Sequence, residues 1–598
     1  MSTRIIENPY RPTYELVSAI GWLAAAAVTQ MMPNVPGTLA AVVGVAGSAL
    51  GVWRGWQALG ISSNKVRLSD GELEFITPEK MIKQSKAAAD RDEIWLGTGF
   101  DWGVEEANRL NYAMNDLRGL IPKESLRDGN YWIHGVGEEE EPVTMPLGNL
   151  NGQSLVVGTT RAGKTRFLDL MIMQAIGRGE SVVIVDPKGD KDLENSAVRA
   201  CRLYGKSELF ARFHPAFPED SCKIDPMKNW NRPTELASRL AALVPSETGA
   251  DPFTAFAWQA INNVCQGLLL INERPNLVTI RRLVEGGLDS LLIQVLRTHL
   301  SRTVPAWEDT YPAWLKRARN SEVDALIGIY KSAGGEFADT RIDGMLTAYQ
   351  HNREHFQKMI ANLIPILGML TSPPLDKLLS PEVDLDDPRE ILDMASAIRR
   401  GRVIYVGLDS LSDNTVGSAI GSIFLADLVA VAGDEYNYGD CDRPVNLFID
   451  EAAEIINKPM IQLLNKGGGA LFRSTLATQT FADFAARLGD ENQARQVLAN
   501  CNNVYALRTI DANTQEYLAE SIPEVEIRKY EVEYRQNAQG ADWIDGFGGM
   551  VGEKSAVEKE SMFPAPMFGQ LPTLHYFARL SGGRFVKGKI PILSEVKI

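Results

Sequence analysis

The chain has 598 residues, 45% of them hydrophobic and 23% charged, with a formal net charge of −15. At roughly 100 to 200 residues per domain this predicts about three or four units, and the composition excludes a mainly disordered chain. The acidic balance argues against a protein that coats nucleic acid with an overall basic face, while leaving room for DNA held in a local channel.

Two apolar stretches open the chain, Leu16 to Met32 and Gly37 to Trp53, free of Lys, Arg, Asp and Glu and joined by Pro33-Asn34-Val35-Pro36. Each lies at the short end of what spans a hydrocarbon core of about 30 Å, and together they predict a two-helix transmembrane anchor over residues 1–60. Arg4 and Arg11 precede the pair, Arg54, Lys65 and Arg67 follow it, and the connecting loop is uncharged. By the positive-inside rule both ends then face the cytoplasm. A cleaved signal peptide fits less well, because the second stretch follows the first at once; a buried soluble hairpin is the bland alternative. The small residues Gly37, Ala40, Ala41, Gly44, Gly47 and Ser48 either permit close helix packing or are filler.

Residues 61–190 read as the first part of a nucleotide-binding domain. Ser154-Leu155-Val156-Val157 is a short apolar strand that runs into Gly158-Thr159-Thr160-Arg161-Ala162-Gly163-Lys164-Thr165, which fits GxxxxGK[ST] at every fixed position. Phe167, Leu168, Met171, Ile172 and Ala175 then recur at helical spacing, completing the required strand, loop and helix. Glycines let backbone amides wrap phosphates at a helix N-terminus, Lys164 neutralises the outer phosphates, and Thr165 offers a hydroxyl to magnesium, so ATP and Mg2+ are the expected cofactors. Val182 to Val185 form a second buried strand ending in Asp186-Pro187-Lys188-Gly189-Asp190. Asp186 and Lys188 either contact the nucleotide or a neighbouring subunit, or simply end the strand.

Residues 191–398 carry helical patterning, as in Phe256 to Leu270 and His355 to Leu370, and read as an inserted all-α domain. Residues 399–598 return to the core, with strands expected at Val403 to Gly407, Val504 to Arg508 and His575 to Leu580. Within them Val445 to Ile449 is an apolar strand ending in Asp450-Glu451. Asp450 is the expected magnesium ligand and Glu451 the water-polarising acid; an acidic N-cap is the alternative for Glu451. Ser474 to Gln479 is a further strand whose terminal Gln479 either senses the terminal phosphate and orients water or is a turn residue. Leu580-Ser581-Gly582-Gly583-Arg584 mimics the ABC-transporter signature, but its place far beyond Asp450 reads as a hairpin turn. Five scattered cysteines, Cys201, Cys222, Cys265, Cys441 and Cys501, form no CxxC pair and indicate neither zinc nor disulfides. The fold class is therefore α/β: a P-loop (RecA-like) nucleotide-binding core with an inserted all-α domain and an N-terminal transmembrane helical hairpin.

Several strings resemble those of the TraD-type conjugative coupling proteins, in the wider family of type IV secretion coupling ATPases related to FtsK-like translocases. They are Trp95 to Phe100, the phosphate loop, Asp186 to Asp190, Phe213 to Pro218, Ile224-Asp225-Pro226, Asn231 to Glu235, Asp450-Glu451 and Ala477 to Thr480. The resemblance implies a homohexameric ring in the bacterial inner membrane. Its partners would be single-stranded DNA with a relaxase in a relaxosome, and the components of a type IV secretion channel. One departure stands out: where such proteins commonly carry an arginine in a Lys-Gly-Arg string, this chain has Lys466-Gly467-Gly468. Arg473 and Arg508 are either substitutes for that trans-acting arginine or ordinary strand-end residues. A docking receptor that binds ATP for assembly, and a chromosome translocase, are the competing functions. Arg399-Arg400-Gly401-Arg402 and Lys316-Arg317-Ala318-Arg319 either meet DNA phosphates or are solvated helix ends. Gln536 to Gly552, with several glycines, reads as a loop.

Overall fold

The computed structural model describes residues 8–69, 73–116, 128–137, 139–244, 252–351, 353–439, 443–538 and 547–594. Arg4, Cys441 and the central part of the glycine-bearing segment, 539–546, lie outside them. The chain divides into two compact units, one formed by residues 1–145, 156–167 and 504–598, the other by residues 146–155 and 168–503.

The first unit begins with the helices Tyr14–Met31 and Gly37–Arg67. They pack on each other: Gln30 Nε2 donates to the Ala40 carbonyl at 2.7 Å, and a Cβ at Gly47 would come within 3.1 Å of both Ala26 and the Trp22 carbonyl. Among the described residues only Gly37–Arg67 and Asn414–Tyr438 are long and apolar enough to cross a membrane, and the second is mostly buried in the protein. At the N-terminus, Gly37–Arg67 is thus the helix of spanning length among the described residues, with the shorter Tyr14–Met31 laid along it. Glu15, Thr29 and Gln30 fall inside the first helix and dilute its apolar run. Val42, Val45, Val52 and Trp56 of the longer helix are exposed, an apolar surface that water does not favour.

The same unit holds a sheet in the order Glu141–Pro146, Glu93–Asp101, Arg584–Lys589, His575–Leu580, Asn503–Ala506. The neighbours Arg584–Lys589 and His575–Leu580 are antiparallel, with Tyr576 opposite Gly588. Their turn places Gly582 and Gly583 at φ of +90° and +81°, so the Leu580 to Arg584 string is a hairpin turn, as expected. Phe563 and Phe577 stack behind this sheet at 4.2 Å between ring centroids. A long antiparallel ribbon, Glu524–Ala538 with Phe547–Ser561, corrects the loop reading: both flanks of the glycine-bearing segment are strand.

The second unit is built on an all-parallel sheet in the order Phe472–Thr478, Val445–Ile449, Ser181–Asp186, Val403–Gly407, Phe210–Phe213. The inner strands are buried at every residue, which is why they read as continuous apolar runs. Helices from Pro233–Ala241 to Leu375–Leu379 supply the all-α insertion. The stretch 191–398 is not purely helical, however: Phe210–Phe213 pairs with Val403–Gly407, and Lys223–Ile224 pairs with Ile391–Leu392. Those strands are only four and two residues long, too short for alternation to reveal them.

Candidate nucleotide site

The phosphate loop leaves the strand Ser154–Val157, buried throughout, and enters the helix Lys164–Arg178. Backbone hydrogen bonds within the first unit fix its course. Leu507 N donates to the Val157 carbonyl at 2.8 Å, Thr159 N to the Arg508 carbonyl at 2.8 Å, and Leu574 N to the Ala162 carbonyl at 3.0 Å. Gly163 has φ +113°, and a Cβ there would lie 2.8 Å from the Leu574 side chain, so the second fixed glycine of the motif is required on both counts. Ala162 is buried, while Thr160 and Arg161 are exposed. Lys164 is only 7% exposed, and its Nζ donates to the Gly158 carbonyl at 2.7 Å. A buried ammonium at a helix N-terminus is an anion-binding arrangement.

In the second unit the strand Val445–Ile449 delivers Asp450 and Glu451, both buried. Asp450 N continues the ladder to the Val185 carbonyl at 3.1 Å, and its Oδ1 accepts from Glu451 N at 3.0 Å. Glu451 sits at φ +44°, a left-handed conformation that costs a non-glycine residue on the order of 1 kcal/mol. It occupies the N-cap position of the short turn that follows, without a side-chain hydrogen bond to that turn. Instead Glu451 Oε1 accepts from Lys188 Nζ at 2.7 Å and from Gln479 Nε2 at 2.9 Å. Gln479 is therefore not a plain turn residue; the capping of the next helix falls to Thr480 and Asp483.

Lys188 is the residue whose partner sequence reasoning left open. Burial opposes its charge, but Glu451 first, then Asp450 and Glu454, hold its amine above the ordinary range. Asp186 plays a different part. Fully buried, it accepts from the amides of Lys188 and Gly189 at 3.0 and 3.1 Å, from Asp190 N at 2.6 Å and from the Tyr405 hydroxyl at 2.9 Å. Burial pushes its carboxyl up, against the pull of those donors.

The candidate arginines are both engaged within their own units. Arg473 is the second residue of its strand, towards the end opposite Gln479, and pairs with Glu180 at 2.9 Å and Asn151 Oδ1 at 2.9 Å. Arg508 pairs with Asp128 at 3.0 Å and Thr573 Oγ1 at 3.1 Å. The missing arginine at position 468 has a steric counterpart: a Cβ on Gly468 would lie 2.4 Å from the Asn151 carbonyl oxygen. Of the basic clusters, Arg399 pairs with Glu435 at 3.2 Å and Arg402 with Glu390 at 2.8 Å, while Arg317 stacks on Trp314 at 5.1 Å.

Comparison with known proteins adds one sequence match. Residues 444–572, which include Asp450, Glu451 and Gln479, match the family model described as the TraM recognition site of TraD and TraG. No curated protein sequence matches. Among solved structures, the unbound bacterial conjugative coupling protein TrwBdeltaN70 is similar at 15% identity and TM-score 0.48, over 76% of this chain and 87% of that one. Plasmid coupling protein TrwB with ADP and Mg2+ is similar at 16% identity and TM-score 0.48, over 76% and 89%. VirB4 of Thermoanaerobacter pseudethanolicus follows at 11% identity and TM-score 0.35, over 74% and 89%. On the sequence match, residues 444–572 of this chain are a TraG/TraD-family domain.

Proposed function

We propose that the chain is an ATPase of the bacterial inner membrane that couples a relaxosome and its single-stranded DNA to a type IV secretion channel and drives DNA transfer in conjugation. In this reading the α/β units supply a P-loop, RecA-like core, and Tyr14–Met31 with Gly37–Arg67 form a membrane hairpin that leaves the bulk of the chain cytoplasmic. A homohexamer is the expected working form. The observation that carries the reading is Glu451, a buried carboxylate at a strand end in a left-handed conformation, oriented by Lys188 and Gln479. The exposed apolar face of the long N-terminal helix supports a membrane anchor. The family model's description, a recognition site for TraM on TraD and TraG, supports a docking protein partner at residues 444–572.

The residues suit the chemistry. Gly158 to Thr165 would bind the phosphates, with the Lys164 ammonium meeting their charge. Among the described residues no cluster of three or more His, Cys, Asp or Glu could hold a metal by itself. Magnesium takes one or two protein oxygens and completes its shell with water and phosphate, and Thr165 and Asp450 are the donors assigned to it. When bound, magnesium neutralises phosphate charge. Glu451 accepts a proton from the attacking water and Gln479 holds that water's orientation.

The test compares Lys164→Ala and Glu451→Gln with the parent in full-length protein, scoring ATP turnover with single-stranded DNA and plasmid transfer between cells. Both variants are expected to lose at least about a hundredfold in turnover, and Glu451→Gln to lose transfer. Transfer at the parental rate by Glu451→Gln would identify a docking receptor instead of a motor.

A further inference from the structure

The turn Asp186 to Asp190 is built more rigidly than a strand end requires. The buried Asp186 carboxylate takes three successive amides of its own turn and the Tyr405 hydroxyl, which fixes the backbone from which Lys188 projects. In the parallel sheet the strand Val445–Ile449 lies between Ser181–Asp186 and Phe472–Thr478. Glu451 leaves the end of that middle strand, and each flanking strand sends one donor to it: Lys188 from one side and Gln479 from the other. Both reach the same oxygen, Oε1, at 2.7 and 2.9 Å.

We propose that Lys188 is a positioning residue for ATP hydrolysis: together with Gln479 it fixes the orientation of the Glu451 carboxylate before water arrives. The inference rests on the reading of Glu451 as the water-activating acid. A glutamate side chain has several rotamers, and only a narrow range of orientations lets its carboxylate accept a proton from water as the water oxygen bonds to the terminal phosphorus and the bond to the ADP oxygen breaks. Two donors from opposite sides remove the lateral freedom of that carboxylate. Lys188 acts through Glu451, so its removal should slow the chemical step and leave nucleotide affinity alone.

The experiment uses full-length protein in lipid nanodiscs with single-stranded DNA, and measures kcat and KM for ATP and Kd for ADP in Lys188→Met, Lys188→Arg, Glu451→Gln and the Lys188→Met/Glu451→Gln double variant. Lys188→Met is expected to lower kcat at least about tenfold, with KM and the ADP Kd within about twofold of the parent. Lys188→Arg should recover most of the loss, because a guanidinium also donates to the carboxylate. In single-turnover assays Lys188→Met should add no further loss to Glu451→Gln. The unchanged ADP Kd reports an intact fold. If Glu451→Gln turns over ATP as the parent does, the hydrolysis reading itself falls. If Glu451→Gln is slow but Lys188→Met keeps the parental kcat, the positioning role alone falls. A raised KM with unchanged kcat would make Lys188 a nucleotide ligand, and a raised kcat would make the pair a restraint; either result overturns the proposal.

Discussion

Two buried polar clusters, one in each unit, accommodate cations in opposite ways. In the second unit Arg239, its side chain 2% exposed, pairs with the fully buried Asp427 at 3.0 Å. Asn229 Nδ2 donates to both Asp427 oxygens at 3.3 and 3.2 Å, and Arg239 spends further N–H groups on the Pro226 and Asn229 carbonyls. In the first unit Lys587 is also fully buried, but its amine lies 3.1 Å from His575 Nδ1 and 3.5 Å from His134 Nδ1. Among the described residues no carboxylate bonds to it; Glu140 lies beyond His134, at 3.0 Å from Nε2, and pairs with Lys589 at 2.7 Å. Burial, reinforced by Lys589, pushes the Lys587 amine well below its ordinary range, and burial beside Lys587 does the same to His575. One cluster sets its cation against a carboxylate, and the other holds its amine between two imidazoles, where burial weakens its hold on a proton. The difference bears on stability: a paired charge is left uncompensated when its partner is removed, whereas an amine that burial disfavours in its charged form weakens the fold while the unfolded chain keeps its proton.

The largest effect should come from breaking the pair. At pH 8, Arg239→Met leaves Asp427 buried and uncompensated, and should destabilise the contact between the helices Pro233–Ala241 and Asn414–Tyr438 by about 3 to 5 kcal/mol. Hydrogen exchange of those helices measures it, and adding Asp427→Leu should restore most of the loss. A loss under about 1 kcal/mol would mean that the pair is not what holds these helices. Acid should then separate the clusters by sign. His134, desolvated and beside Lys587, is held down to about 4 from an ordinary 6.5. Between those values the unfolded chain binds a proton that the folded one refuses, so stability falls as pH falls. For this imidazole alone the loss is on the order of 3 kcal/mol between pH 7 and pH 4. Asp427 responds the other way: burial, partly offset by Arg239 and Asn229, pushes it up to about 7, so taking up a proton on acidification favours the folded state. Urea unfolding between pH 7 and pH 5 should show the first unit weakening ahead of the second, and His134→Gln should flatten that dependence.

What the sequence could disclose follows from the range of the interactions. The phosphate loop was legible because its function constrains consecutive residues, and Val445 to Ile449 because a strand buried on both faces is a continuous apolar run. Lys188 meets Glu451 across 263 positions, so only the strand order could turn Asp186-Pro187-Lys188 from a strand end into a clamp. The glycine at 468 looked like a lost arginine; the approach of the Asn151 backbone, set by tertiary packing, is what forbids a side chain there. The Lys587 cluster was invisible for the same reason: His134 stands 453 positions from Lys587 and meets it only through tertiary packing. The apolar N-terminus was legible, but the number of spans rests on a margin of composition, since a few polar side chains in a helix of 18 residues decide whether it spans.

The smallest expected effect is also the sharpest test of discharge against pairing. Lys587→Met keeps the length of the side chain and removes the amine. It forfeits weak hydrogen bonds to two imidazoles, each worth about 1 kcal/mol. It also removes a group whose charged form burial disfavours. The ordinary lysine value is 10.5, and burial lowers it in the fold, so the folded chain holds that proton less tightly than the unfolded chain and the parent is weakened accordingly. The variant should therefore be the more stable of the two at pH 7. As pH rises past the ordinary lysine value of 10.5 the unfolded chain gives up the proton too, the penalty on the parent vanishes, and the urea midpoints of the two proteins should converge or cross. A Lys587→Met protein less stable than the parent at pH 7 by 2 kcal/mol or more, roughly the scale of a lost charged partner, would mean that the amine is charged in the fold and that the two clusters work alike.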